Sequence, residues 1–248
     1  MRPLDPDPPG RGVLVDLDVA QWSPFGRGAY SDVLALQERL RERRRTAGPD
    51  VWLVGEHPLV ITQGVRARAE DFRPGPAPTP APVFRIDRGG MTTLHSPGQL
   101  ILYPIVKLKA GSLAAGRFAR LLLEGLARWL EDEFGITPEA PARRAGLFVD
   151  GRKLLSLGLS ARSGVTMHGA ALNCVNDLSL WDTIVACGEP ATRPTSLTAL
   201  LGRPVPPSEL HPSLQAWLAR YWGYRRLQPR PVELGAPARP GASVAELP

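Results

Sequence analysis

The sequence predicts an α+β fold: a mixed β-sheet with helices packed against it. Two observations carry that expectation. Strand-like apolar runs outnumber helical patterns, and they arrive in hairpin-like runs rather than alternating one for one with helices. The 248 residues, 43% of them hydrophobic, suffice for a substantial core. Residues 13–228 are expected to form the folded domain. Residues 1–12 and 229–248, Pro-rich and aperiodic, are expected to be tails.

"GVLVDLDV" is expected to be the first strand, and "AYSDVLALQERLRERRRTAG" a helix, with Val33, Leu36 and Leu40 on one face. "VWLVGEHPLVITQG" divides into two short strands at His57-Pro58. "PVFRID", "MTTLH" and "LILYPIV" follow as strands. Pro104 cannot donate to a ladder, so the last is expected at an edge or a bulge. "SLAAGRFARLLLEGLARWLEDEFG" carries the clearest helical spacing, with Ser112 to cap its start and Gly135 its end. "KLLSLGLSARSGVTMHGAALNCV" is expected to be a β-hairpin turning at 162–164, with Lys153 roughly opposite Leu172 and Asn173. "TSLTALLG" and "HPSLQAWLARYW" are expected to be helical.

Composition narrows the function classes. No window approaches the ~18 apolar residues of a membrane span. The start "MRPLDPDPPGRG" has no apolar core of a secretory signal. Only Cys174 and Cys187 are present, which points to reduced thiols and a cytoplasmic setting. The net charge of +6 rests almost wholly on arginine, the only lysines being Lys107, Lys109 and Lys153. With 27 prolines and 25 glycines, this is the pattern of drift in a GC-rich genome. A lysine retained in such a chain supplies a deprotonatable amine that arginine cannot.

Cys187 lies in "ACGEP", a loop by its Gly188 and Pro190, where a thiol is accessible as a nucleophile; a small hydrophobe is the plainer role. Cys174, inside "ALNCVN", is expected to pack in a strand. Lys153 opens an apolar strand, either as an ordinary strand-end lysine or as an amine beside a nucleophile. His95 and His168 each precede a small residue. They are structural imidazoles or site-shaping groups, and none of the four histidines has metal-ligand spacing. Gly89-Gly90 is a bulge, or a place where a ligand approaches free backbone N–H groups. No P-loop, dinucleotide fingerprint or serine-hydrolase elbow is present.

The runs "GEHPLVITQG", "DRGGMTTLHSPGQLILYPI", "GLFVDGRKLLSLGL", "GVTMHGAALN" and "DLSLWDTIVACG", in this order across about residues 51–190, resemble the lipoyl(octanoyl) transferase family of the lipoate–biotin protein ligase superfamily. The resemblance implies the catalytic-domain fold of biotin and lipoate ligases. It also implies transfer of an octanoyl group from octanoyl-acyl carrier protein to a lysine of a lipoyl domain, of 2-oxoacid dehydrogenases or of the glycine cleavage H protein. It requires no cofactor and no metal. By match to the family motifs, Cys187 would be the acyl-thioester nucleophile and Lys153 its catalytic partner. Arg88, Gly89, Gly90, Met91, Thr92, Thr93, Leu94 and His95 would line the acyl and pantetheine site. Ser156, Leu157, Gly158, Gly169, Ala170 and Ala171 would complete it, with His168 shaping it. Met91, Leu94 and Ser96 stand where the family usually has Gln, Tyr and Gly. Met167 replaces an aromatic, and Ala186 a proline.

Two rival functions are distinguishable. An ATP-dependent lipoate or biotin ligase would use the lysine to bind an adenylate and would have no use for Cys187. A basic nucleic-acid-binding module would interleave arginines with exposed aromatics, but "RERRR" has no aromatic neighbour and Trp129 and Trp217 sit in apolar helical patterns. No nucleic-acid or membrane partner is expected. The expected partners are acyl carrier protein, recruited through Arg43, Arg44 and Arg45, and lipoyl domains.

Overall fold

The computed structural model describes residues 13–14, 17–72, 81–109, 114–142, 144–185, 192–232 and 234. Its main sheet contains β1 (Val19–Arg27), β2 (Asp50–Glu56), β6 (Gln99–Ile105), β7 (Gly146–Val149), β8 (Arg152–Arg162), β9 (Val165–Asn173) and β10 (Arg226–Pro229). Their order is β10-β1-β2-β6-β9-β8-β7. β1 is parallel to both its neighbours, and the remaining pairs are antiparallel, so the sheet is mixed. A second sheet, β4-β3-β5, is formed by β3 (Val60–Gln63), β4 (Val83–Arg85) and β5 (Thr92–His95). The helices are α1 (Tyr30–Thr46), α2 (Ala114–Phe134), α3 (Leu197–Leu201) and α4 (Pro207–Trp222).

The period-2 alternation of the central strands creates two cores. Trp52 and Val54 of β2, with Leu100 and Leu102 of β6, face the apolar stripes of α2 and α4. Val51 and Leu53, with Ile101, Tyr103 and Ile105, face α1 through Val33 and Leu36. Both faces of these strands are therefore covered, which is why they read as nearly unbroken apolar runs. Each such side chain contributes ~1.5–3 kcal/mol on burial. Gly135, left-handed at φ +66, ends α2 by donating to Glu131 O, as its sequence position predicts. The Ser112 cap falls outside the described residues.

The hairpin of β8 and β9 turns at Ser163 and Gly164, both with positive φ, the signature of a type I′ turn. A second two-residue turn, Asp150-Gly151, joins β7 to β8.

Two expectations about strands need correction, and one strand was not foreseen. "GVLVDLDV" is not the first strand: Val13 and Leu14 are buried, but Leu14 makes only an isolated bridge to Leu108, and β1 begins at Val19. Residues 226–229 form the edge strand β10, paired parallel with β1 and ending at Pro229. Pro104 lies neither at an edge nor at a bulge, because β6 is the fourth of seven strands. Extending the β6–β9 register beyond Leu102↔Ala170 brings His168 opposite Pro104. His168 there adopts φ +58 and donates its backbone N–H to Gln37 Oε1 at 2.8 Å, while Thr166 Oγ1 donates to Pro104 O at 2.6 Å. The ladder resumes where Thr166 N donates to Val106 O. Side chains thus satisfy the His168 N–H and the Pro104 carbonyl where the ladder is interrupted at the proline.

The "RERRR" cluster is not a uniform basic surface. Arg44 is buried and donates to Asp50 Oδ1 at 2.6 Å, and Asp50 also accepts from Tyr224 Oη and from Lys107 N. Arg45 is paired with Glu42. A docking surface that includes Arg44 is therefore excluded by its burial.

Candidate active site

Lys153 follows the tight Asp150-Gly151 turn and is 3% exposed. It pairs with Phe148 across β7, where the register shifts after Leu147. Its Nζ is 5.3 Å from the centroid of the Phe148 ring, and the Arg144 guanidinium lies 3.8 Å from the same centroid. A Cβ on Gly146 would sit 2.9 Å from Lys153 Cε and would clash with Leu155 O, so only glycine lets the amine lie there. The other side of β8 is clamped: Lys153 N donates to Arg193 O at 2.8 Å, and Thr195 N donates to Lys153 O at 2.9 Å. The hairpin register pairs Leu155 with Leu172, so Lys153 lies two residues further towards the open end than a position facing Leu172.

Lys153 shares a cleft with Trp181, Asp182, Ile184, Thr192, Arg193 and Pro194. The short 3-10 segment Leu178–Thr183, capped by the Asp177 carboxylate on Ser179 N, feeds this cleft. Its exit is anchored by the Phe72↔Ile184 bridge and by Val185 N donating to Asp71 O. Ala186 and Cys187 lie outside the described residues. Cys174, just past β9, is buried with its thiol against Leu172 O, and burial pushes its pKa up to about 12. It is a packing thiol, as its sequence context suggests.

Arg88 is buried and spans to β3, where Nε and Nη2 reach Thr62 Oγ1 and Nη2 donates to Thr62 O at 2.6 Å. Gly89 N donates to Leu159 O at 2.9 Å, so it is committed to β8 and not available to a ligand as the sequence suggested. Gly158 allows this approach: a Cβ there would meet Arg88 Cδ and Gly89 O at 3.0 Å. Gly90 adopts φ +95. Met91 O accepts from Gly64 N.

Along β5 the side chains alternate. Thr92 Oγ1 donates to Asp71 Oδ2 at 2.6 Å, and Leu94 enters a small apolar cluster with Ile61, Trp181 and Ile184. On the alternate face, Thr93 and His95 are buried, and Thr93 Oγ1 has no hydrogen bond among the described residues. Ser156, Leu157 and Gly158 pair directly with Ala171, Ala170 and Gly169, so these six expected site residues form three consecutive cross-strand pairs.

The imidazoles occupy distinct environments. His95 Nδ1 is 2.8 Å from Gln99 Oε1. Burial lowers its pKa to about 3 and that of His57 to about 4, so both are neutral at pH 7. His57 was not among the expected site residues, yet its ring centroid is 5.9 Å from that of His95. Its Nδ1 donates to Gly28 O and its Nε2 accepts from Tyr103 Oη. The ring of Tyr30 contacts both imidazoles. The available signal was a histidine between two short strands rich in apolar residues, where a buried imidazole needs partners. His168 Nε2 is 3.0 Å from Asp87 Oδ1. That hydrogen bond, aided by Arg162 and Arg41, holds the Asp87 carboxyl below its ordinary pKa, while burial lowers that of His168. Among the described residues, no cluster of three or more His, Cys, Asp or Glu side chains could hold a metal.

The arrangement brings a buried lysine, neutral imidazoles and a loop-bearing cleft to one end of the sheet, suited to proton transfer in a dehydrated setting. Comparison with known proteins places the chain in a family. A family model described as the lipoyl protein ligase A/B catalytic domain matches residues 29–219. An octanoyltransferase of Corynebacterium efficiens is 41% identical over 213 residues, 82% of each chain. One from Thermobifida fusca is 41% identical over 215 residues, covering 82% of this chain and 89% of the relative. One from Mycobacterium leprae is 36% identical over 226 residues, covering 86% and 94%. The fold is shared with a lipoate-protein ligase A bound with ATP, at a TM-score of 0.68 and 13% identity over 87% of this chain and 89% of that one. It is also shared with the archaeal bi-partite lipoate protein ligase of Thermoplasma acidophilum, at 0.66 and 13% over 86% and 88%. With a family model spanning most of its length and relatives this similar, the chain belongs to the lipoyl(octanoyl) transferase family of the lipoate–biotin protein ligase superfamily.

Proposed function

We propose that this protein transfers an octanoyl group from octanoyl-acyl carrier protein to a lysine of a lipoyl domain, through a thioester on Cys187. The observation that carries the reading is the setting of Lys153. It is buried, clamped by its backbone and fitted against a glycine, in a cleft lined by Ile184 and Thr192, which stand on either side of the Cys187 segment in the chain. The names of the relatives supply the octanoyl group. The archaeal neighbour is described together with its E2 lipoyl domain, which supports a lipoyl domain as acceptor here.

In the first step the Cys187 thiolate attacks the donor thioester. The C–S bond to pantetheine breaks, and the departing thiolate takes a proton from Lys153. In the second step the acceptor lysine amine attacks the acyl-cysteine, gives its proton to Lys153, and the Cys187 thiolate leaves as the amide forms. Thiol–thioester exchange is nearly balanced, and the more stable amide draws the sequence forward without ATP. Lowering the thiol pKa from about 8.5 to about 7 would raise the thiolate fraction roughly fifteenfold, but falling nucleophilicity would leave about threefold. Proton transfer, worth about 10²–10⁴-fold, is the larger role for Lys153.

The test is transfer from octanoyl-acyl carrier protein to a purified lipoyl domain, with and without ATP. Equal turnover in its absence is expected. Turnover that starts only when ATP and free octanoate are added would instead identify an adenylate-forming ligase.

A further inference from the structure

His95, Gln99, Asn173 and Thr195 form one directional chain of buried hydrogen bonds that ends at the backbone of Lys153. Gln99 Nε2 donates to Asn173 Oδ1 at 2.9 Å and to Leu94 O at 3.5 Å, so its Oε1 faces His95 Nδ1 at 2.8 Å. An amide oxygen only accepts, so His95 Nδ1 must carry the ring proton. Asn173 is oriented in the same sense. Its Oδ1 accepts from Gln99 Nε2 and from Asn176 Nδ2 at 3.2 Å. Its Nδ2 donates to Thr195 O at 3.0 Å and to Lys153 O at 3.5 Å. Thr195 in turn donates its N–H to Lys153 O. All four residues are buried. Flipping Gln99 would set its oxygen against Leu94 O and Asn173 Oδ1, and flipping Asn173 would set its oxygen against the carbonyls of Thr195 and Lys153, in a site where unsatisfied polar groups are costly.

We infer that Gln99 and Asn173 are positioning residues: they hold His95 as the Nδ1–H tautomer, with Nε2 left as a lone-pair acceptor, and couple it to the backbone bridge that sets Lys153. Burial keeps the ring neutral, so Nε2 stays an acceptor across the working pH range. Such a nitrogen receives a hydrogen bond from an N–H, the group the entering lysine amine presents, and offers none to a leaving thiolate. Lys153 alone then serves the proton-donating half of the reaction. The network joins the two flanks of the site through side chains on β6 and β9.

The assay for this inference rests on the proposed function; the tautomer does not. The first measurement is nitrogen NMR of histidine-labelled protein, with the His95 signals assigned by their loss in His95→Gln. A protonated Nδ1 and bare Nε2 are expected in the wild type, with loss of that preference in Gln99→Leu. A protonated Nε2 in the wild type would overturn the inference whatever the enzyme catalyses. The second measurement is single-turnover transfer from preformed acyl-enzyme to a lipoyl domain. The near-isosteric Asn173→Asp still accepts from Gln99 but cannot donate to Thr195 O or Lys153 O. It should retain the His95 tautomer, lose at least about tenfold in the first-order rate, and show a little-changed half-saturating lipoyl-domain concentration. A rate within about twofold of wild type, with the tautomer intact, would overturn the coupling to Lys153. Failure of the wild type to form an acyl-enzyme would count against the proposed function instead, and the NMR result would still decide the tautomer.

Discussion

Acidification should expose the cost of holding His57 and His95 uncharged. Both are buried, and their pKa values in the fold are lowered to about 4 and about 3. A free imidazole titrates near 6.5. Since the folded values lie below the unfolded one, the unfolded chain binds the proton more readily. The stability held by the neutral rings is therefore fully present above about pH 6.5 and is lost as the pH falls towards 4. At about pH 5.5 the loss is RT ln(1 + 10), or about 1.4 kcal/mol for each ring, and it is almost nil at about pH 7.5. The groups that act on His95 are His57, Gln99, Arg88 and His168, and apart from the Gln99 hydrogen bond they oppose its protonation. Burial also lowers the pKa of His168, which adds a loss of the same sign. The assay is urea unfolding of wild type and His95→Gln at about pH 7.5 and about pH 5.5. The variant is expected to show a pH-dependent loss smaller than that of the wild type by about 1.4 kcal/mol. An undiminished pH dependence in the variant would show that His95 is not held neutral by the fold, and the reasoning would fail.

Replacing Lys153 by Arg preserves a positive charge but not a proton that can leave, so transfer should fall at least about 10²-fold, while a preserved rate would leave only an electrostatic role. Gly146→Ala places a methyl against Leu155 O and Lys153 Cε, and should slow single-turnover transfer by about 10- to 10²-fold through displacement of the amine. Arg44→Ala strands the buried Asp50 carboxylate and should cost about 3–5 kcal/mol in denaturant unfolding, with little effect on the acyl-transfer rate of the folded fraction.

Where spacing and composition carry direct physical information, the sequence was legible. The stripe of α2, the break between β2 and β3, and the turn at Ser163-Gly164 follow from period, from His57-Pro58 and from a glycine able to take positive φ. β1 was obscured because the apolar run around Val13 reads as a strand, yet among its described residues before β1 only Leu14 makes a bridge, whereas β1 itself contains Gln21, Pro24 and Gly26. β10 is polar and ends in proline, and it owes its existence to the open edge of β1 rather than to its own pattern. Pro104 misled because a local rule about ladder bonds cannot anticipate that Gln37, on α1, will satisfy the strand opposite. The site residues were approached through a family resemblance, but the polar network behind them was not. Gln99 was not singled out, Asn173 entered only as a residue roughly opposite Lys153, and His57 was one of four scattered histidines, because only the β6–β9 register and the packing of the two sheets bring them together. Arg44 shows the converse, a member of a basic run that folding withdraws into an ion pair.

An acyl-enzyme on Cys187 is directly observable by intact-protein mass spectrometry after incubation with octanoyl-acyl carrier protein, without a lipoyl domain. A mass increase of one octanoyl group is expected, mapped by peptide analysis to Cys187, absent in Cys187→Ala and discharged when a lipoyl domain is added. The same adduct accumulating on Cys187→Ala, or wild-type turnover in that variant, would contradict it.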